Sequence, residues 1–162
     1  MGSIDVLLPH KLSKKLVEKA EGTDYLPEEL GIELMRKSLD VVPDPEELMD
    51  QYGALSEKYL AEGKDLVEKN DPVQASEKLW GAAALAIKMV AAKRGLKLER
   101  HGSLWEFVDE IAKELKDETI VRSFAVANGL HRNFYEAQMT KRAVTIALGE
   151  IERFIATLKR IA

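Results

Sequence analysis

Leu79-Trp80-Gly81-Ala82-Ala83-Ala84-Leu85-Ala86-Ile87-Lys88-Met89-Val90-Ala91-Ala92 decides the fold class of this 162-residue chain. Thirteen of these fourteen residues are apolar or glycine, and Lys88 carries the only charge. A helix that is apolar almost all round belongs at the centre of a bundle, and its alanines let neighbouring helices approach closely. Just upstream, Asp71, Pro72 and Gln74 stand at the N-cap, N1 and N3 positions of a helix start. One helix earlier Asp44, Pro45 and Glu47 repeat the device as a capping box, and Leu48, Tyr52, Leu55 and Tyr59 step by 4, 3, 4 towards Leu66. Downstream, Gly95 to Gly102 is a connection. Ser103 and Glu106 predict a further capping box for a helix burying Leu104, Phe107, Val108, Ile111 and Leu115. Another helix starts near Asp117 and presents Ile120, Phe124, Ala127, His131 and Phe134 on one face. The last runs from about Thr140, with Val144, Leu148, Ile151, Ile155 and Leu158 in steps of 4, 3, 4, 3, a coiled-coil-like seam. The expectation is an all-α, up-and-down bundle of about five helices over residues 44–162.

Val41-Val42-Pro43-Asp44-Pro45 marks the upstream edge of that domain, because two prolines in three residues forbid a continuous helix. Residues 1–43 are expected to form a short strand-helix-helix appendage. Ile4, Val6 and Leu8 alternate with Asp5 and Leu7 as a short strand would, Leu12, Leu16 and Ala20 follow at helical spacing, and Pro27 opens a second helix. Gly31 weakens that second helix.

With 46% apolar residues the chain can bury a core. Its 24 basic and 28 acidic side chains leave a net charge of −4, so no global field argues for nucleic acid or an anionic membrane. The absence of cysteine excludes disulfides, thiolate metal sites and cysteine nucleophiles, and points to a reducing compartment. No window approaches a membrane span and MGSIDVLL is too short and acidic for a signal peptide, so a cytoplasmic protein is expected. Asn and Gln total only six among many Lys, Glu and Arg, which leans toward a hot-living source.

The three histidines, at 10, 101 and 131, form no His-x-x-x-His or Glu-x-x-His pair, and neither a phosphate-binding Gly-rich loop nor Gly-x-Ser-x-Gly occurs. No metal or cofactor is expected. The polar cluster that stands out is Asn128-Gly129-Leu130-His131-Arg132-Asn133-Phe134-Tyr135-Glu136. Asn128, His131 and Tyr135 fall at i, i+3 and i+7, a row at a groove edge that could bind a phosphate or a base or move a proton. The alternative is that His131 is a satisfied polar group between helices, and that Tyr135 and Trp80 are core aromatics. Positive charge gathers at Lys88, Lys93, Arg94, Lys97 and Arg100, and again on the last helix at Lys141, Arg142, Arg153, Lys159 and Arg160. Either group could track phosphates or simply solvate a face. If the second and fourth bundle helices are neighbours, Lys93, Arg94, Lys97 and Arg100 can support a ligand held beside Asn128, His131, Arg132 and Tyr135.

The blocks Gln74–Ala84, His101–Trp105 and Ala127–Glu136 together resemble the archaeal PaREP family over roughly residues 44–161. That family is grouped with the HEPN superfamily of helical bundles. The resemblance implies a four- or five-helix bundle that commonly dimerises, and in many HEPN members a metal-independent ribonuclease. The ribonuclease motif is Arg, a polar residue, three others and His. Here Arg132-Asn133-Phe134-Tyr135-Glu136-Ala137 places alanine at the histidine position, and Arg122 with His131 falls on opposite helix faces because nine residues turn about 180°. The departure favours the non-catalytic HEPN class, which binds nucleotides, nucleic acid or partner proteins; a ribonuclease using His131 and Arg132 is the alternative. The N-terminal part more loosely resembles a ribbon-helix-helix module, which pairs through its strand. Residues 1–44 carry six basic against nine acidic groups, so dimerisation rather than DNA reading is expected of it. A homo-oligomer is also expected because Leu79–Ala92 and the Val144–Leu158 seam offer more apolar surface than a small bundle needs.

Overall fold

A computed structural model describes residues 2–99 and 102–162; Met1, Arg100 and His101 lie outside the described residues. Within them the chain is all-helical: α1 (His10–Ala20), α2 (Pro27–Leu39), α3 (Pro45–Glu68), α4 (Pro72–Lys93), α5 (Ser103–Leu115), α6 (Thr119–Glu136) and α7 (Lys141–Ile161). They divide into two compact units. One takes the described residues up to Val42 together with Glu99, and the other takes Pro43–Leu98 and Gly102–Ala162.

The second unit is a five-helix bundle built around α4, which packs against α3, α5, α6 and α7. Its starts are local chemistry. The carboxylates of Asp44 and Asp71 accept the amides of Glu47 (2.8 Å) and Gln74 (3.1 Å), and the Thr140 hydroxyl accepts that of Ala143 (3.1 Å). From Ala82 to Ala92 every α4 residue is buried, Lys88 included. Close approach of α3 depends on Gly63, where a Cβ would lie 2.8 Å from Leu79 Cδ2. Ser56, facing α4, donates to the Ala82 carbonyl at 2.7 Å, so its buried hydroxyl is satisfied.

Three expectations for this unit are corrected. The buried stripe of α3 runs through Tyr52, Ser56, Tyr59, Leu60, Gly63 and Val67, while Leu55 and Leu66 sit at its edges, because the small Ser56 and Gly63 face the densest helix. Helix α5 is capped not by Ser103 but by Gly102 in the left-handed region (φ 85°); Ser103 lies in the first turn, its buried hydroxyl without a hydrogen bond. The apolar surfaces that suggested an oligomer are consumed internally: Leu79–Ala92 fills the bundle centre and Val144, Ile151, Ile155 and Leu158 are buried against it.

In the first unit α1 packs on α2. A Cβ at Gly31 would meet Leu16 Cδ2 at 3.2 Å, so the glycine that weakens α2 is the point where α1 crosses it. No strand is present among the described residues. Ser3–Pro9 carries no regular structure, and Ile4 and Leu7 are 88% and 97% exposed. Alternating hydrophobicity alone does not make a strand, since its backbone groups need a neighbouring strand to complete the ladder, and no described residue provides one.

Candidate functional site

The polar row on α6 faces the first third of α4. Ser76 meets Asn133, Glu77 meets His131, and Trp80 meets both His131 and Phe124, so the two helices run antiparallel. His131 Nδ1 lies 2.9 Å from Glu77 Oε2, with the two side chains 36% and 28% exposed. A carboxylate within hydrogen-bonding distance of Nδ1 favours the tautomer with its proton on that nitrogen and orients the ring. The imidazole sits between two aromatics, with the Trp80 ring at 4.9 Å and tilted 30° and the Tyr135 ring edge-on at 5.6 Å. Beneath Trp80 is the buried Phe124 at 5.7 Å, itself met edge-on by the exposed Trp105 at 4.4 Å. Phe134 adds to the other end, 5.1 Å from Tyr135. The result is a continuous run of rings across α5, α4 and α6, exposed at Trp105 and Tyr135, half-buried at Trp80 and His131 and fully buried at Phe124.

Of the sequence-derived site residues, His131 and Tyr135 are in contact, and Asn128 is half-buried one turn earlier on the same helix. Arg132 is not part of this row. It points to solvent and approaches Glu136 at 3.5 Å. The expected basic support is also elsewhere. Lys93 closes α4 sixteen residues beyond Glu77, which at 1.5 Å per residue is roughly 24 Å along the helix. The antiparallel crossing brings the C-terminal end of α6 to the beginning of α4, so α4's basic end is at the far end of the bundle. There Arg94 is committed to Glu114, in two contacts of 2.8 and 3.2 Å, and lies over the Phe107 ring, 5.8 Å from its centre. Lys97 is exposed beyond it, and Arg100 falls outside the described residues.

Asn133 and Ala137, the polar and histidine positions of the ribonuclease-like pattern, have structural employment. Asn133 is buried; its amide nitrogen donates to Ser76 Oγ at 2.9 Å, and its oxygen accepts the amides of Gln138 (2.9 Å) and Met139 (2.8 Å). It therefore pins α6 to α4 and shapes the turn into α7. Ala137 ends α6 in the left-handed region at φ 50°. Sequence reasoning missed Glu77 and Ser76. Their signal was two polar residues just ahead of an apolar run, on the helix due to pack beside the polar row.

A second polar crevice of about 260 Å³ opens between α6 and α7. Glu150 accepts there from Ser123 (2.9 Å) and Arg153 (2.8 Å), and these two bonds hold its carboxyl below the ordinary glutamate range, Arg153 foremost. Among the described residues no group of three or more His, Asp or Glu side chains is arranged to hold a metal ion, and no helix is long and apolar enough to cross a membrane.

None of the curated proteins and none of the solved structures compared matches the chain. One family model does match, over residues 51–155, the span from α3 through most of α7 that contains Glu77, Trp80, His131 and Tyr135. The chain thus belongs to the archaeal PaREP1/PaREP8 family.

Proposed function

We propose that this protein is a non-catalytic, HEPN-like binding bundle whose ligand face is the aromatic run around His131, and that it takes a ligand bearing a nucleobase. The observation that carries the reading is the half-buried imidazole, fixed by Glu77 at 2.9 Å and flanked by Trp80 and Tyr135. A flat base can stack on exposed aromatic rings, at ~1–3 kcal/mol per base, while Nε2 and the Asn128 amide offer an acceptor and both kinds of hydrogen-bonding group to its edge. Near the row Arg132 faces Glu136 and a carboxylate, Glu77, lies against the imidazole, so there is no excess of positive charge and recognition rests on stacking rather than on phosphate attraction. Titrating adenosine and guanosine into the protein should quench tryptophan fluorescence with little salt dependence. His131→Ala and Tyr135→Ala should each weaken the effect severalfold. Quenching unchanged in both variants would show that the row is a structural contact only.

The Glu77–His131 pair also favours one second reading, a metal-independent ribonuclease in which the carboxylate orients a histidine base. It requires cleavage of single-stranded RNA in excess chelator that disappears in both His131→Ala and Glu77→Gln. We expect none above background. Ala137→His should not create activity, because that side chain leaves a left-handed helix end rather than the face of His131.

Self-association belongs to the same proposal and rests on the N-terminal arm, one of the two regions the sequence suggested, rather than on the bundle seams. Ten of the fifteen exposed large apolar side chains among the described residues lie between Ile4 and Val42. Pairing of Ser3–Leu8 with its copy in a second chain would supply the missing ladder and set Ile4 and Val6, on one face, against their copies. Light scattering should give twice the 18.2 kDa chain mass, and Ile4→Asp with Val6→Asp should return it to one chain mass. A wild type that runs at one chain mass at micromolar concentration removes this part of the proposal.

A further inference from the structure

Charge in the N-terminal unit is segregated in a way its balance conceals. Helix α1 carries Lys11, Lys14, Lys15 and Lys19 against the single Glu18, a net +3, while Glu28, Glu29 and Glu33 are on α2. On a helix at 100° per residue, Lys11, Lys15 and Lys19 form an i, i+4, i+8 row about 12 Å long, and Lys14 flanks it. All four lysines are exposed. None forms an ion pair with a described residue, and neither does Glu18, which lies on the same face. Each other helix ties at least one cation to a carboxylate: Lys37 to Glu33, Lys58 to Glu62, Lys78 to Glu62, Lys113 to Asp109, Arg122 to Glu118 and Arg153 to Glu150. Among the described residues, on α1 alone of the helices no cation is tied to a carboxylate, and its four lysines leave an open row.

We propose that the lysine face of α1 docks on the phosphate backbone of a nucleic acid. Charge complementarity selects a polyanion, and the shape of the surface selects its kind. On the opposite face Leu16 lies against Gly31 of α2 and Ala20 is buried, which leaves Leu12 and Val17 as the exposed apolar side chains of α1, too little apolar surface to seat the helix in lipid while its lysines reach headgroups. What is left is a straight polar row carrying point charges, without exposed arginine forks or aromatic rings on α1 for reading bases. A duplex presents one negative charge per ~1.7 Å of axis, so a 12 Å row faces several phosphates at once, and contact is independent of base sequence. The surface belongs to the N-terminal unit and does not rest on the reading of the ligand face proposed on the bundle.

The test is fluorescence anisotropy of the full chain with a labelled 20-base-pair duplex DNA, a 20-nucleotide single-stranded RNA and, as a third arm, anionic phosphatidylserine vesicles. With about three phosphates neutralised, affinity for nucleic acid should fall roughly 20- to 40-fold between 50 and 200 mM salt, the steeper slope belonging to duplex. Whichever of DNA and RNA binds more tightly identifies the source of the phosphates. Lys11→Ala, Lys15→Ala and Lys19→Ala together should cost at least ~20-fold at 50 mM salt, whereas Glu18→Gln should tighten binding about fivefold. Replacing Lys113, Lys141 and Arg142 by alanine removes the same number of charges elsewhere and should leave binding within about twofold. The proposal fails if wild type does not bind nucleic acid at 50 mM salt, if binding is insensitive to salt, if the control variant loses as much as the α1 variant, or if only vesicles bind. Because adenosine carries no phosphate and its quenching at His131 is expected to be nearly independent of salt, failure on either surface is recognisable independently of the other.

Discussion

The two units of this protein are both made of helices but differ in what holds them. In the bundle, α4 is buried from Ala82 to Ala92 and two neighbouring helices are fitted to it by specific devices, Gly63 for α3 and the Ser76–Asn133 pair for α6. In the N-terminal unit, two short helices meet at one glycine and most large apolar groups remain in water, Leu39 and Val42 among them. Helical periodicity is present in both. What differs is the amount of surface available to answer it, because two helices of eleven and thirteen residues cannot enclose each other's apolar faces. The first unit therefore offers surfaces, apolar and lysine-rich, whereas the second offers a framework that holds a few side chains in fixed geometry.

The largest effect that would test this contrast is a cavity at the centre of the bundle. Leu79→Ala, at a fully buried site against Gly63, should cost ~3–5 kcal/mol in urea unfolding, while Leu39→Ala, exposed on α2, should change stability by no more than ~0.5 kcal/mol. Comparable losses at the two sites would break the comparison. Asn133→Ala should come next, at ~2–3 kcal/mol, since it strands two backbone amides in the turn to α7 and leaves Ser76 Oγ only its bond to the Pro72 carbonyl. Arg94→Ala should cost ~1 kcal/mol or less in the same measurement, because its pair with Glu114 is partly exposed and only its position over Phe107 adds packing. The smallest effect concerns pH. Glu150's folded pKa is depressed by Arg153 and then Ser123, so its contribution is present at neutral pH and is lost as pH falls from the ordinary glutamate value through the lower folded one. Glu150→Gln should give a flatter acid limb in a stability-against-pH profile, with an unchanged slope above pH ~6. An acid limb identical to wild type would mean that the crevice pair contributes nothing to folding.

How much of this was legible in the residues depended on how far each feature reaches. The helix starts at Asp44, Asp71 and Thr140 involve a side chain and an amide three residues on, and their sequence reading coincides with the structure. The start of α5 departs from that reading, because Gly102 takes the left-handed turn and draws Ser103 inward, although Ser103 and Glu106 have capping-box spacing. The row of Asn128, His131 and Tyr135 was readable from spacing along one helix. Its chemical partner was not, since Glu77 is 54 residues from His131 and only the crossing of α4 and α6 brings them together. The same crossing carried Lys93 and Arg94 away from the row, a consequence of helix direction that spacing along either helix does not contain.

By itself, the sequence determined that this is a helical protein with a bundle beginning after Pro43-Asp44-Pro45, that α4 is its centre, and that alanine stands at position 137. These follow from periodicity, capping and covalent identity, which are properties of short stretches of chain. The tertiary structure alone decided that His131 is held by Glu77 and Trp80, that Asn133 is a brace, that the apolar seams are spent internally and that the N-terminal arm forms no strand. Each of those outcomes depends on which surfaces meet across tens of residues. That is settled by the competition of all the apolar faces for burial at once, and a residue's local spacing carries no record of the partner it is finally given.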